Sequence, residues 1–359
     1  MTTPRHRVMI HPATYDNCRE AVERAFQLFC PDVSGNTVMV KPNVLRASEA
    51  HEGIVTHPAV LSAVIACLEA RGPSEIVVGD NPGLFSYGAN TAAFEQAGLL
   101  AAAGAYYRNI GDDGVEVPFD PRYGGRLSVS RAVMDADVFI SLPKFKTHGL
   151  TVLTGAVKNS YGILPGAQKA ALHRKAGSPG PFHDLIVDVF RLRAPDFFIV
   201  DAVVGMEGNG PASSELRDIH RILAGDNAVA VDAVMARMMG LDPARLRFLQ
   251  RAAALGLGSF DAADTLIEGA LTVIDDFKIP PLGGEAIQDN PAIQEVIHGR
   301  TLLRPSADAA LCTACGMCVS QCPVSALTMA GDVPEVDAET CITCFCCQEI
   351  CPEKAMVLR

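Results

Sequence analysis

One cysteine spacing, C-x-x-C-x-x-C-x-x-x-C-P, occurs twice near the C-terminus, and nothing else in the chain restricts its fold as tightly. The first copy is Cys312, Cys315, Cys318 and Cys322 before Pro323; the second is Cys341, Cys344, Cys347 and Cys351 before Pro352. Three thiolates so spaced wrap one face of a cuboidal [4Fe–4S] cluster, and the fourth, turned away at the proline, ligates the other cluster of the pair. Cys312, Cys315, Cys318 and Cys351 are therefore expected to hold one cluster, and Cys341, Cys344, Cys347 and Cys322 the other. Structural zinc takes two pairs rather than two quartets, and disulfide frameworks belong to short secreted chains. A segment of this kind moves electrons. Its length suits a small domain stapled by its cofactors.

The rest of the 359-residue chain is long enough to bury a core of its own. Around Ile279-Pro280-Pro281-Leu282-Gly283-Gly284 the composition turns to proline and glycine. Residues 1–278 thus read as one domain, 279–302 as a linker and 303–359 as the two-cluster domain. A formal net charge of −11 argues against nonspecific binding to nucleic acid or to an anionic membrane. No run reaches the ~18 apolar residues of a membrane span. Met1 to His11 holds neither an apolar stretch nor a twin arginine. The expectation is a cytoplasmic protein of an anaerobe or a low-oxygen niche, with no nucleic-acid or membrane partner.

Ahead of the cysteines, short apolar runs alternate with helical patterns, which is the signature of an α/β domain. Strands are predicted at Arg7–Ile10, Thr37–Val40, Glu75–Val78, Val138–Ser141, Phe197–Val200 and Arg221–Leu223. Helices are predicted at Asp16–Phe29, Pro58–Glu69, Thr91–Ala103, Gly149–Asn159, His183–Arg191, Ala228–Met239 and Ala244–Ala254. In Pro58–Glu69, for instance, Val60, Val64 and Leu68 recur four apart and give one apolar face. The expected fold is an open, mostly parallel sheet flanked by helices, plus a small C-terminal ferredoxin-like domain.

Ligand sites in open α/β sheets lie outside the carboxyl ends of the strands. Five predicted ends here continue into glycine, proline and polar residues. They are Lys41-Pro42-Asn43, Gly79-Asp80-Asn81-Pro82-Gly83, Leu142-Pro143-Lys144-Phe145-Lys146-Thr147-His148, the stretch from Asp201 to Pro211, and Ala224-Gly225-Asp226-Asn227. Glycine and proline also make ordinary turns, but five such ends on one edge favour a site. The chain has eight lysines, and Lys41, Lys144, Lys146 and Lys158 lie in or beside these motifs. Lysines commonly sit on a solvated face; clustered within an acidic protein, they point to an anionic substrate, a phosphate or a carboxylate. Mutual repulsion would lower their pKa values and prepare one as a base or an imine former.

Lys144, Lys146 and His148 alternate, so an extended backbone puts all three on one face. His148 is a candidate general acid/base or metal ligand, beside the alternative of a structural histidine. Asp80, Asp201, Glu207 and Asp226 supply carboxylates that counter the lysines, hold a divalent metal, act as acid and base, or simply make salt bridges. Lys144, His148 and Lys158 are thus the catalytic candidates. Lys41, Asn43, Asp80, Lys146, Asn159, Asp201, Glu207, Asn209 and Asp226 are the candidates for binding the substrate or anion.

Together, Lys41-Pro42-Asn43, Gly79-Asp80-Asn81-Pro82-Gly83, Pro143 through His148, Lys158-Asn159, Gly205 through Pro211 and the stretch from Asp226 to Asp232 resemble the hallmarks of Domain of Unknown Function 362. The resemblance spans residues 35–250, and the cysteine block resembles bacterial two-cluster ferredoxins. Members of that family often carry such a C-terminal pair of motifs; the resemblance implies no settled activity. In the second quartet Cys346 adds a ninth thiol. It is expected to pack as a small hydrophobe, or else to serve as an alternative ligand after oxidative damage.

These readings converge on an iron–sulfur oxidoreductase with two [4Fe–4S] clusters. It would take electrons from a redox partner protein or low-potential donor and pass them to an anionic substrate or second cofactor at the strand ends. An electron-relay or assembly protein that docks a partner and turns nothing over is the alternative. A third reading is an isomerase or ligase-like enzyme whose clusters sense redox state. No nicotinamide or flavin fingerprint is present, because Gly205, Gly208 and Gly210 do not form G-x-G-x-x-G after a strand.

Overall fold

In a computed structural model, residues 6–83, 88–280 and 304–358 are described. The expected linker lies, from residue 281 onward, outside them. In chain order the large domain carries β1 (His6–Pro12), β2 (Thr37–Pro42), β3 (Glu75–Val78), β4 (Gly114–Pro118), β5 (Arg126–Ser130), β6 (Val138–Leu142), β7 (Lys144–His148), β8 (Val152–Thr154), β9 (Phe197–Met206), β10 (Leu216–Gly225) and β11 (Thr265–Gly269). β4 and β5 form a separate hairpin. The others make one sheet in the order β11-β1-β10-β9-β6-β2-β3, with β7 beside β9 and β8 beside β7. Most pairings are parallel, while β10 runs against both of its neighbours and β8 against β7.

Helices cover both faces, so the central strands are apolar without interruption. Side-chain parity sorts their residues into two cores. Met39, Phe139, Phe198 and Val200 pack on one side with residues of helices Pro179–Phe190 and Ala228–Met238. Val38, Val40, Ile140, Leu142, Phe197 and Ile199 pack on the other with helices Cys18–Phe29 and Pro58–Glu69.

All six predicted strands are present, and three differences have plain causes. The predicted helix Thr91–Ala103 breaks at Gly98 (φ +71°) into Ala89–Gln96 and Leu99–Ala103. The predicted helix Gly149–Asn159 is instead a hairpin return: β8 pairs back on β7, and a single helical turn, Ala156–Asn159, follows. Thr154 is β-branched and favours a strand, while Val152 opens the return in the left-handed region (φ +69°). The third difference moves a candidate site residue. Only residues 207–215 join β9 to β10, fewer than the crossover that a parallel return requires. β10 therefore folds back antiparallel, and Asp226 at its end lies exposed on the opposite edge of the sheet from Lys41, Gly79 and Lys144.

The C-terminal region adds β12 (Pro305–Ala307), β13 (Leu327–Ala330), β14 (Val333–Val336) and β15 (Met356–Leu358), paired β12 with β15 and β13 with β14. Its cysteine repeat is also a backbone repeat. Ala314 and Thr343 share a left-handed conformation (φ +56° and +52°), as do Gly316 and Phe345 (φ +71° and +58°). Glycine suits that conformation; phenylalanine there costs about 1–2 kcal/mol. The ring of Phe345 is 2% exposed and belongs to the core of the large domain. Burial of such a side chain is worth about 1.5–3 kcal/mol, which offsets the strain. The second copy is thus the docked copy, and Phe345 is its anchor.

Candidate functional site

The seam between the domains encloses a cavity of ≈ 80 Å³. Five of the expected residues line it: Lys41 and Asn43 at the end of β2, Asp80 after β3, and Lys158 and Asn159 on the turn Ala156–Asn159. Thr154, Tyr161, Gly162, Lys169 and His173 complete the large-domain wall, and Gln321, Cys346, Glu349 and Ile350 of the cysteine-bearing domain form the facing one.

The wall is built by close approach. Lys41 is 1% exposed; its Nζ lies 2.7 Å from Asp80 Oδ1 and donates to Asn159 Oδ1 at 3.2 Å. Asn43 donates to the same Asn159 oxygen, and Asn159 in turn donates to Ser141 Oγ. A Cβ on Gly162 would stand 2.3 Å from Asp80 Oδ1 and 2.7 Å from Lys41 Nζ, so glycine is needed there. Lys169 donates to the carbonyls of Asn81 and Pro82. Buried Asp232 caps the turn that carries Lys158, accepting from the N–H groups of Ala156 (2.5 Å) and Val157 (3.0 Å). Gly155 leaves room for that carboxylate, since a Cβ would meet it at 2.0 Å.

The electrostatics follow from burial. It lowers the pKa of the Lys41 ammonium against the pull of Asp80, and lowers that of Lys158 against Glu349. Lys169 is brought down to about 8 by burial, with Asp80 opposing. His173 is held at about 4, again by burial, and is neutral at physiological pH. Three lysines, Lys41, Lys158 and Lys169, thus share the lining with two acidic residues, Asp80 and Glu349.

Parity explains why the other expected lysines are absent from it. Lys41 shares the strand face of Met39, whereas Lys144 and Lys146 follow the parity of Leu142 onto the other face. Lys144 makes a fully buried ion pair with Asp201 (2.8 Å) and donates to Tyr15 Oη (2.8 Å); Lys146 donates to the Ile54 carbonyl (2.6 Å). Glu207 pairs with Arg217 at 3.0 Å, and Asn209 accepts from Gln348 through its backbone carbonyl. His148 lies at the rim, with Nε2 3.0 Å from Glu349 Oε1. That approach lacks hydrogen-bond alignment, and neither atom has another partner among the described residues. Lys169, Thr154, Cys346 and Glu349 were not foreseen as site residues. Lysine scarcity pointed to Lys169; for the two from the other domain the sequence's one signal is the Phe345-Cys346 pair in the second quartet.

The cysteines of the C-terminal region form no disulfides. Cys312, Cys315 and Cys318 line one small enclosed space together with Cys351 of the other copy. Cys341 has Cys344, Arg304 and Cys322 near enough to act on it electrostatically. Four soft thiols drawn from both copies and lining one space are the donor set of an iron–sulfur cluster. Cys346, expected as a packing residue, lies instead in the cavity wall.

Residues 38–237 match the family described as Domain of unknown function (DUF362), and residues 304–352 match a 4Fe-4S dicluster domain. The chain belongs to the DUF362 family. Its C-terminal region is an iron–sulfur domain of ferredoxin-like type, which supports a redox or electron-transfer role. This DUF362 chain is 31% identical over 259 residues to the thylakoid-associated protein sll1697 of Synechocystis sp., covering 68% of its own length and 77% of the relative's. It is also similar to a crystal structure of a Thermotoga maritima protein, at TM-score 0.38 and 13% identity, over 68% of this chain and 59% of that one. No helix among the described residues is long and apolar enough to cross a membrane.

Proposed function

We propose that this DUF362 protein is a cytoplasmic oxidoreductase that delivers electrons to a small anionic substrate held in the cavity between its domains. One observation carries the reading: the helix Cys346–Ile350, which includes or adjoins the cysteines of the second copy, is itself a wall of the cavity at the strand ends. Cys312, Cys315, Cys318 and Cys351 would hold one [4Fe–4S] cluster and Cys341, Cys344, Cys347 and Cys322 a second, together supplying low-potential single electrons when bound. Lys158 and Lys169 would attract the anion, and the Lys41–Asp80–Asn159 network would hold the wall that it meets. Free cysteines fit a reducing compartment. A redox partner protein would dock at the first copy, where Cys315 is exposed and Leu311 and Met329 are 51% and 38% exposed.

Anaerobically reconstituted protein is expected to hold about eight iron and eight sulfide per chain. After chemical reduction, it is mixed with a panel of inorganic oxyanions and short carboxylates while cluster absorbance is followed. Saturable reoxidation by at least one of them, slowed in Lys158→Ala at full iron content, is the expected result. Reoxidation by an acceptor protein but by no small anion would replace this reading with an electron relay.

A further inference from the structure

The second cysteine copy carries a thiol that its spacing does not need. Cys346 stands between Cys344 and Cys347, where the first copy has Met317, and it lines the cavity beside Gln321, Glu349 and Ile350. The opposite wall presents polar groups with nothing to bind. Thr154 and His173 are 3% and 7% exposed, and neither Thr154 Oγ1 nor His173 Nδ1 has a hydrogen-bond partner among the described residues. The Lys158 ammonium faces the same space. Unlike Lys41 and Lys169, it makes no hydrogen bond or ion pair there among the described residues. Buried polar atoms in native proteins are nearly always satisfied, so Thr154 Oγ1 and His173 Nδ1, beside the half-buried Lys158, mark a ligand position.

Size and charge narrow the ligand. A volume of ≈ 80 Å³ lies far below the ~300–1,000 Å³ of sites for cofactors and drug-sized molecules, which favours a ligand smaller than a nucleotide or a flavin. The three lysines of the lining suit an anion.

We propose that the cavity binds one small anion, an inorganic oxyanion or a short-chain carboxylate, held by Lys158 and Thr154 and in contact with the Cys346 thiol. This rests on the oxidoreductase reading of the cavity and deepens it. Cys346 becomes the contact between the ligand and the loop that carries Cys344 and Cys347, and the site is incomplete without the cysteine-bearing domain. The large domain supplies the charge and the cluster domain supplies the electron-side wall.

The test uses the full-length, iron-loaded protein under anaerobic conditions, titrated in turn with formate, acetate, bicarbonate and phosphate. Binding is read by calorimetry, and the electron paramagnetic resonance spectrum of the reduced protein is recorded with and without each anion. One of these anions is expected to bind at a single site per chain and to shift the spectrum. Lys158→Ala should weaken it at least tenfold, as expected for a lost charge-assisted contact of about 1.5–3 kcal/mol, and Lys158→Arg should recover part of the loss. Cys346→Ala should keep full iron content and bind the anion with altered affinity, but show no spectral shift. An anion that depends on Lys158 yet shifts the spectrum equally in wild type and Cys346→Ala overturns the Cys346 contact and leaves the oxidoreductase reading intact. No binding of any of the four to the wild type overturns the anion site and, with it, that reading.

Discussion

His148 and Glu349 meet at 3.0 Å across the seam between the two domains. Nδ1 of His148 accepts the backbone N–H groups of Leu150 and Thr151, so its proton sits on Nε2 and faces the carboxylate. Burial, reinforced by the nearby Lys158 charge, holds the imidazole at about 3 despite that carboxylate. The contact is thus between a neutral ring and an anion throughout the physiological range.

Anion binding should therefore show no histidine-like limb between pH 5 and 7. It should weaken as the pH rises through about 8, because Lys169 then loses a positive charge from the cavity wall. In Lys169→Met the affinity should be lower at neutral pH and the limb near 8 should be gone. Calorimetric titrations of both proteins across this range check it; an unaltered limb in the variant would assign the titration to another group.

Asp232 predicts a stability profile. Burial raises its carboxyl to about 7, against the two backbone N–H groups that it accepts. Between the unfolded value, about 3.9, and 7, the folded chain keeps a proton that the unfolded chain has released. Stability therefore falls as the pH rises through that window and levels off above it. The slope approaches about 1.4 kcal/mol per pH unit. Asp232→Asn should flatten it in anaerobic urea unfolding at pH 5 and 7.5; the same slope in both proteins would show that the proton is held elsewhere.

Phe345→Ala should undock the second copy. Truncating a buried phenylalanine costs about 3–5 kcal/mol, and here the loss falls on the seam. Iron content should stay full, while amide exchange rises in Cys346–Ile350 and in β7 and β8. Protection equal to wild type in those segments would mean that Phe345 is not the anchor.

Much of this arrangement was legible because strand ends and lysine scarcity are local signals. Lys41, Asp80, Lys158 and Asn159 meet where the parallel order of β2 and β3 sends them. Asp226 was misplaced because the predicted strands left residues 201–220 between them, ample for a crossover, whereas both strands run on and only residues 207–215 connect them, which forbids a parallel return. Lys144 and Lys146 were grouped with Lys41 because position along a strand was read without parity between neighbouring strands. Cys346 and Glu349 were beyond reach: their roles arise from domain docking, and an unusual phenylalanine at 345 was its one trace.

Exchange of cysteines between the copies gives a further expectation. Cys322→Ser should deplete the cluster held by Cys341, Cys344 and Cys347, leaving about four iron per chain, and Cys351→Ser should deplete the other. Loss from the first-copy site in Cys322→Ser, read by the spectrum of the remaining cluster, would overturn the crossed assignment.

Gln321, Cys346 and Glu349 each stand within two residues of a cysteine expected to carry iron. A small domain of this kind owes its folded shape to its metal. On the proposed anion site, a newly made chain would possess the lysines but not yet the opposite wall, and its affinity for the ligand would arrive with the last iron. Iron delivery, rather than translation, would then set how many competent molecules a cell contains, and an iron-starved cell would accumulate chains that neither bind the anion nor sequester it.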